Sequence, residues 1–73
     1  MRVGSENTYI LENAEMEKVS FAINDTSLAT LKQSGNKCIV AANQKNKLGT
    51  FVLQVYYDGN LFIEKTITVV SLW

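Results

Sequence analysis

The stretch at residues 49–57, GTFVLQVYY, constrains the fold of this chain more than any other part of it. Apolar side chains recur at every second position, so one face of an extended chain would be wholly apolar and the other mixed. A period of two is that of a β-strand. The stretch therefore predicts a half-buried strand at the centre of the fold. Its apolar face is formed by Phe51, Leu53, Val55 and Tyr57.

A turn signal and a second extended stretch follow this strand directly. Residues 58–60 read Asp-Gly-Asn, and residues 61–72 are rich in β-prone side chains. We expect a hairpin with a three-residue loop, in which Asn60 takes the left-handed conformation that asparagine tolerates. Tyr57 would then lie opposite Leu61.

The same register contains one conflict. It pairs Val55 with Ile63, as expected for two apolar positions, but it also places Lys65 opposite Leu53 on the apolar face. A bulge at Glu64 and Lys65, or a lysine stem that runs along the sheet to reach solvent, would resolve the conflict. A two-residue loop would place Glu64 opposite Leu53, which is less favourable.

Further short strands are predicted before the hairpin, each ended by a cluster of turn-forming residues. The chain has no proline and no sustained helical periodicity, although residues 13–17 have the composition of a helical turn. Five or six short antiparallel strands favour a β-sandwich or a small barrel. The predicted strands before the hairpin are at residues 8–11, 18–23, 28–32 and 37–42.

The alternation also predicts which side chains form the core. Seventy-three residues make one domain with one small core, and 47% hydrophobic content is typical of a folded chain. Cys38, the single cysteine, is expected in the core, because free cysteine behaves as a small apolar residue. The other expected core residues are Phe21, Ile23, Val40, Phe51, Leu53, Val55, Ile67 and Val69.

Composition excludes several classes of chemistry. One cysteine and no histidine exclude an internal disulfide, metal sites built on histidine or several cysteines, and catalysis by a Ser-His or Cys-His pair. The carboxylates fall in predicted turns or exposed segments without a partner constellation. We therefore expect no enzyme activity, no catalytic residue, no bound metal and no cofactor.

Charge and hydropathy say little about a partner. The formal net charge is zero, but residues 1–31 carry two cations against five carboxylates, and residues 32–73 carry five lysines against two carboxylates. Such blocks are usually solvated surface. Nucleic-acid binders show a basic excess that this chain lacks, so we expect no nucleic acid partner. No apolar run is long enough to span a membrane, and no signal peptide is visible.

Three residues are weak candidates for contact with a ligand. Lys45 and Lys47 lie in the polar loop at residues 43–48, and small sandwiches often bind through their end loops. Tyr56 has the opposite parity to the core face, and tyrosine is enriched at interfaces. Trp73 is a lesser candidate at the chain end. The ordinary alternative is a solvated loop and a singly exposed aromatic residue.

Four segments resemble the bacterial immunoglobulin-like domains of intimin-type adhesins and phage virion proteins. Residues 21–31, FAINDTSLATL, are similar to the aromatic strand, polar turn and short strand of those domains. Residues 49–55 resemble their Gly-Thr-x-x-Leu-x-Val strand, and residues 36–42 and 65–70 resemble two further strands. Val3-Gly4 is similar to the family's opening, and Phe21 stands where the family usually has the tryptophan of strand B. The similarity covers about residues 8–72.

The resemblance implies an immunoglobulin-like antiparallel β-sandwich of six to seven short strands. From the residues themselves we expect one domain over residues 1–73, frayed over residues 1–7, and the resemblance implies that it is a C-terminal module of a longer protein. The expected role is a non-enzymatic spacer or surface-contact module of a phage tail or capsid, or of a bacterial cell surface, monomeric when isolated. Expected partners are a host cell-surface glycan or protein, or neighbouring domains of the parent protein. An OB- or SH3-like barrel that binds nucleic acid or cell-wall glycan is the alternative.

Overall fold

Six β-strands form two three-stranded antiparallel sheets in the computed structural model, which describes residues 1–71. The only helical segment of that part is one 3₁₀ turn, Met16–Lys18, so none of its helices is long and apolar enough to cross a membrane. The strands are β1 (Glu6–Ile10), β2 (Val19–Ile23), β3 (Ala29–Ser34), β4 (Lys37–Ala42), β5 (Gly49–Tyr57) and β6 (Asn60–Val69).

The strand order is that of a two-sheet antiparallel β-sandwich and can be compared with the immunoglobulin arrangement. One sheet has the order β1-β4-β3 and the other β2-β5-β6. Immunoglobulin-like sandwiches place strands B, E and D in one sheet and strands C, F and G in the other. The two orders agree when β1 is equated with strand B. Phe21, on β2, then belongs to the equivalent of strand C rather than strand B.

The two sheets face each other across a single apolar core. Every buried side chain among residues 1–71 is apolar. Seven of the eight predicted core residues are buried, and Cys38 is fully buried as predicted. The exception is Ile23, which is half-buried because it ends β2 beside the turn at residues 24–27. The rest of the buried core consists of Val3, Val19, Leu28, Ala29 and Ala42.

The turn of the central hairpin is shorter than predicted. Asp58 and Gly59 have φ values of 53° and 81°, the signature of a two-residue type I′ turn. Asn60 pairs with Tyr57 as the first residue of β6, and its side chain donates to the Asp58 carbonyl at 3.3 Å. The predicted three-residue loop with a left-handed Asn60 is therefore wrong. Aspartate tolerates the left-handed conformation too, and the I′ turn fits the twist of the strands.

A β-bulge restores the register that the shorter turn would have shifted. Tyr56 pairs with Leu61 and Val55 pairs with Ile63, so Phe62 is an extra residue on β6. The predicted pairing of Val55 with Ile63 is confirmed. The predicted pairing of Tyr57 with Leu61 is wrong, and the bulge lies nearer the turn than Glu64 and Lys65.

Lys65 lies opposite Leu53, as the sequence predicted. Of the two predicted ways to resolve that conflict, the structure takes the second. The Lys65 stem runs over the sheet, and its ammonium lies 5.4 Å from the centre of the Tyr9 ring on β1. A cation within about 6 Å of an aromatic ring is attracted to its face. The lysine thus keeps its charge at the surface while its stem covers apolar atoms.

The start of the chain is hydrogen-bonded to the end of β6. The Met1 nitrogen donates to the Thr68 carbonyl at 2.7 Å, and Val3 N–H donates to the Val70 carbonyl at 3.0 Å. The short segment runs parallel to β6 and buries Val3 between the sheets. The sequence predicted fraying over residues 1–7, because it offers no strand pattern there. Pairing with a distant strand supplies the order instead.

Candidate functional site

The sandwich has two long sides, each formed by one edge strand from either sheet. On one, hydrogen bonds connect β3 with β2. On the other, Lys65 of β6 reaches Tyr9 of β1. We call these the β2/β3 side and the β1/β6 side. They are built differently, and the difference locates the surface most suited to binding.

One glutamine closes the β2/β3 side. The Gln33 side-chain nitrogen donates to the Val19 carbonyl at 2.7 Å and to the Gly35 carbonyl at 3.0 Å. Its side-chain oxygen accepts from the Phe21 N–H at 3.2 Å. Val19 and Phe21 belong to β2, and Gln33 belongs to β3. The amide therefore satisfies backbone groups on the outer edge of β2 and links the two sheets.

The β1/β6 side is only half closed. Residues 1–3 cover the end of β6, but the first half of that strand has no covering segment among residues 1–71. An apolar pocket of about 120 Å³ opens there between the sheets. A second pocket, of about 210 Å³, adjoins it at the end of the sandwich and shares Leu11. We call the two together the edge groove. Its walls include Tyr9, Leu11, Leu53, Phe62, Ile63 and Lys65.

Exposed apolar side chains lie at the edge groove and beside it. Phe62 and Ile63 line the groove and are 62% and 43% exposed, and the preceding residue Leu61, opposite Tyr56, is 50% exposed. Ile10, at the end of β1, is exposed as well. The bulge at Phe62 produces this run, because it breaks the alternation that would otherwise hide every second side chain. Three consecutive exposed apolar residues are unfavourable in a monomer unless they serve binding.

The outer edge of β6 beside the groove carries unpaired backbone groups. The Thr68 carbonyl and both backbone groups of Val70 point outward, because they bond residues 1–3. Along a β-strand the direction of these groups alternates, so Thr66 and Glu64 point outward as well. Among residues 1–71 no segment pairs with that part of the edge. Such an edge is a template for another strand.

The lysine loop is a structured turn rather than a mobile surface. The Asn43 side-chain nitrogen donates to the carbonyls of Leu28 and Lys47, each at 2.8 Å. Its side-chain oxygen accepts from the backbone N–H groups of Lys45 at 3.0 Å and Lys47 at 2.9 Å. One asparagine therefore fixes the path of residues 43–48.

The charged end of Lys47 makes a hydrogen bond within the fold. Its ammonium donates to the Ser27 hydroxyl at 2.6 Å. The Asp25 carboxylate accepts from the Ser27 hydroxyl at 2.5 Å and from the Ser27 N–H at 2.9 Å. These two hydrogen bonds lower the pKa of Asp25. Lys47 thus joins the loop to the turn at residues 24–27, which gives it a structural reason to be present.

Tyr56 lies on the outer face of the second sheet, as its parity predicted. It pairs with Ser20 on one side and Leu61 on the other, and it is half-buried. Its hydroxyl donates to the Gln54 side-chain oxygen at 3.4 Å, and the Gln54 side-chain nitrogen donates to Glu64 at 3.2 Å. A chain of polar side chains across the sheet therefore holds the ring.

The three predicted contact residues do not form one site. Lys45 and Lys47 precede the start of β5, whereas Tyr56 lies near its end. At about 3.3 Å per residue, these positions are roughly 25 Å apart. Trp73 lies outside the described residues. Sequence reasoning missed the edge groove, although the Lys65 conflict was a signal of it, because a lysine on an inward position indicates a strand that is not fully covered.

The described residues hold no other chemical centre. No three of their histidine, cysteine, aspartate or glutamate side chains lie close enough to hold a metal ion. Burial raises the pKa of the Cys38 thiol, so its nucleophilic thiolate form is disfavoured. Comparison of the chain with protein-family models, with curated proteins and with solved structures gives no match. Fold and surface geometry therefore carry the functional argument.

Proposed function

We propose that this chain is a non-enzymatic immunoglobulin-like module of a phage virion or bacterial surface protein, where it acts as a spacer or a surface-contact domain. The observation that carries the proposal is the strand order, β1-β4-β3 packed on β2-β5-β6. This order agrees with strands B to G of an immunoglobulin-like sandwich, the fold that the motifs at residues 21–31 and 49–55 imply by resemblance, although Phe21 falls on the equivalent of strand C rather than strand B. Fold alone does not assign function, so the surface must support the proposal too.

Shape and packing suit a mechanical role. The described chain extends 39 Å in one direction and 17 and 15 Å in the other two. Among the described residues, every fully buried side chain is apolar. Where a partly buried residue has a buried polar side-chain atom, that atom is hydrogen-bonded. An elongated, tightly packed domain of this kind can hold neighbouring domains at a fixed distance along its long axis, which is what a spacer does. The fixed loop at residues 43–48 is likewise suited to contact rather than catalysis.

The alternative of a small OB- or SH3-like barrel has less support. A barrel requires its sheet to close on itself, whereas these strands divide between two separate sheets. The stacking aromatics and basic excess of a nucleic-acid platform have no counterpart in the candidate residues, since Tyr56 is held within a polar chain on the sheet. Glycan binding remains compatible with a sandwich and is decided by experiment.

Localisation tests the proposal directly. An antibody raised against the purified domain should label the outside of intact cells or released particles of the source organism in immunogold electron microscopy. Antibody pre-absorbed with the domain is the control and should label nothing. Label confined to the cytoplasm of sectioned cells would contradict a virion or surface role.

Binding experiments then separate a contact domain from a spacer. The ¹⁵N-labelled domain is titrated with cell-wall fragments of the same organism and followed by NMR. Saturable shifts at Lys45, Lys47 or Tyr56 would indicate a contact domain. Absence of shifts throughout would leave the spacer role.

A further inference from the structure

We propose that the edge groove and the outer edge of β6 accept one extended peptide strand. The peptide adds to β6 by backbone hydrogen bonds, places an apolar side chain in the groove, and brings a carboxylate to the ammonium of Lys65. This inference goes beyond the proposed function and does not depend on it, because it rests only on the geometry of the β1/β6 side.

The backbone of β6 supplies the first element of the site. Thr66 and Glu64 present N–H and C=O groups outward with no partner among residues 1–71. Addition of a strand to such an edge provides main-chain hydrogen bonds, while pockets for alternate side chains provide specificity. The edge groove lies on the inner side of this edge, where those alternate side chains would enter.

The start of the chain already uses this arrangement further along the same edge. Met1 hydrogen-bonds Thr68 of β6, Val3 hydrogen-bonds Val70 directly after β6, and the Val3 side chain is buried between the sheets. The groove occupies the corresponding place beside Ile63, where no side chain fills it. Its inner pocket, about 120 Å³, has room for one aliphatic side chain. A further strand would continue an existing interface.

Lys65 determines the chemistry of the occupant. Its ammonium contacts the Tyr9 ring, and no carboxylate among residues 1–71 forms an ion pair with it. It points into the groove side of β6, where an added strand places every second side chain. An acidic residue at that position would pair with the lysine in a partly desolvated setting. A basic residue there would be repelled.

The same lysine disfavours a second copy of this chain as the occupant. Two β6 edges that pair antiparallel in one continuous sheet must align their outward residues. Aligning Glu64 with Thr66 of the second copy sets the two Lys65 side chains opposite each other. Aligning Glu64 with Glu64 opposes two carboxylates instead. Inward-pointing charges on edge strands protect proteins from this kind of pairing, so the site fits an acidic peptide.

The probe is the peptide acetyl-Val-Thr-Glu-Thr-Val-amide, which covers residues 63–67 when its glutamate lies opposite Lys65 and so stays clear of Met1 at Thr68. Its alternate positions place Val, Glu and Val on one face, so glutamate lies between two apolar side chains in either strand direction. The control peptide has lysine in place of glutamate. The ¹⁵N-labelled full chain is titrated with each, and we expect saturable NMR shifts confined to residues 9–11 and 61–67. The glutamate peptide should bind about fivefold more tightly than the control.

The Lys65→Glu variant makes the test specific. The charge change should reverse the order, so that the lysine peptide binds more tightly. If that variant does not give a folded spectrum, Lys65→Gln replaces it and should make the two peptides equal. The proposal is overturned if neither peptide gives saturable shifts at 5 mM (a concentration of order 10⁻³ M, the weak limit of specific binding). It is also overturned if the shifts lie elsewhere, or if the variants leave the preference for glutamate unchanged.

Discussion

The two long sides of this sandwich differ in how the gap between the sheets is closed and how the strand edges are satisfied. On the β2/β3 side a single amide, Gln33, satisfies the edge of β2 and connects the sheets. On the β1/β6 side residues 1–3 cover only the end of the edge, at Thr68 and Val70, and the rest is open beside apolar side chains. The comparison shows that each side of a small sandwich is closed by its own local contacts. A packed core between the sheets does not by itself close both sides.

The contrast extends to the side chains that face inward on each side. Gln33 is neutral, and its donors and acceptor all find backbone partners, so the β2/β3 side is complete without another molecule. Lys65 is charged, and its ammonium lies over the Tyr9 ring and forms no ion pair with a carboxylate of residues 1–71. An inward-pointing charge such as Lys65 keeps an open edge from pairing with another copy of itself, while a strand of complementary charge can still bind there. The edge of β2, whose backbone groups are already hydrogen-bonded, cannot bind an added strand.

The largest expected effect tests whether the sides of the sandwich give solvent access to the core. Cys38 is fully buried on the central strand β4, between Tyr9 of β1 and Gln33 of β3, so an opening on either side would expose it. If the sandwich does not open locally, a thiol reagent should reach Cys38 only through global unfolding. For a stability of about 5 kcal/mol, labelling in native buffer should be slower than in denaturant by a factor of about 10³ or more.

The control for this measurement is a Gly-Cys-Gly peptide labelled in both buffers, which should show no such difference. Native labelling close to the denatured rate would mean that one of the two sides opens to the core. The pH dependence has a defined sign. Burial raises the pKa of the Cys38 thiol above that of the unfolded chain, about 8.5. Its contribution to stability is therefore fully present below that pH and is lost as the pH rises through the folded pKa.

The next effect compares the floor of the edge groove with its rim. Leu53 is 1% exposed at the centre of β5, whereas Ile63 is 43% exposed on β6. Leu53→Ala should lower the free energy of unfolding by roughly 2–5 kcal/mol, because it removes buried atoms and leaves a cavity. Ile63→Ala should cost less than about 1 kcal/mol. Urea melts measure both. Equal losses would mean that the groove rim is part of the core.

The sequence predicted those parts of the fold that depend on local alternation. The strand face of Phe51, Leu53 and Val55 was predicted from a period of two, which survives any arrangement of the strands. Burial of Cys38 was predicted from the apolar character of a free cysteine. The position of Lys65 opposite Leu53 was also predicted, although two errors compensated there. The turn is one residue shorter than expected, and the bulge at Phe62 restores the count.

The sequence did not predict how the sides of the sandwich close. Gln33 reads as an ordinary polar residue of an edge strand, and its role appears only when β2 and β3 are brought together. Lys47 reads as a free cation, but its ammonium bonds Ser27, twenty positions away in the chain. These contacts join residues distant in sequence, so no local pattern reports them. The edge groove was missed for the same reason.

A smaller effect tests the closed side itself. Gln33→Ala removes three hydrogen bonds and leaves the Val19 carbonyl and the Phe21 N–H without these partners. We expect a loss of about 1–2 kcal/mol in the free energy of unfolding, because these backbone groups are partly buried. The matched control is Lys32→Ala, at the neighbouring exposed position of β3, which should stay within about 0.5 kcal/mol. A loss of similar size in both variants would show that the glutamine does not close this side.

The smallest change in stability is expected for Lys65→Val, which removes the inward-pointing charge from the open side. Valine is compatible with the strand and with the apolar face opposite Leu53, so the free energy of unfolding should change by no more than about 0.5 kcal/mol. The effect should appear instead in association. Without the opposed lysines, two β6 edges can pair with Glu64 beside Thr66 of the second copy.

Sedimentation velocity measures this outcome. The wild-type chain should remain a monomer at about 100 μM, and Lys65→Val should form dimers or larger species, because an exposed apolar edge strand without charge is prone to pair. Lys32→Val is the control. It adds the same apolar group to an edge strand of the other sheet, on a face without a groove, and it should stay monomeric. If Lys65→Val also stays monomeric, or if both variants associate equally, Lys65 is not what keeps this edge open for a different strand.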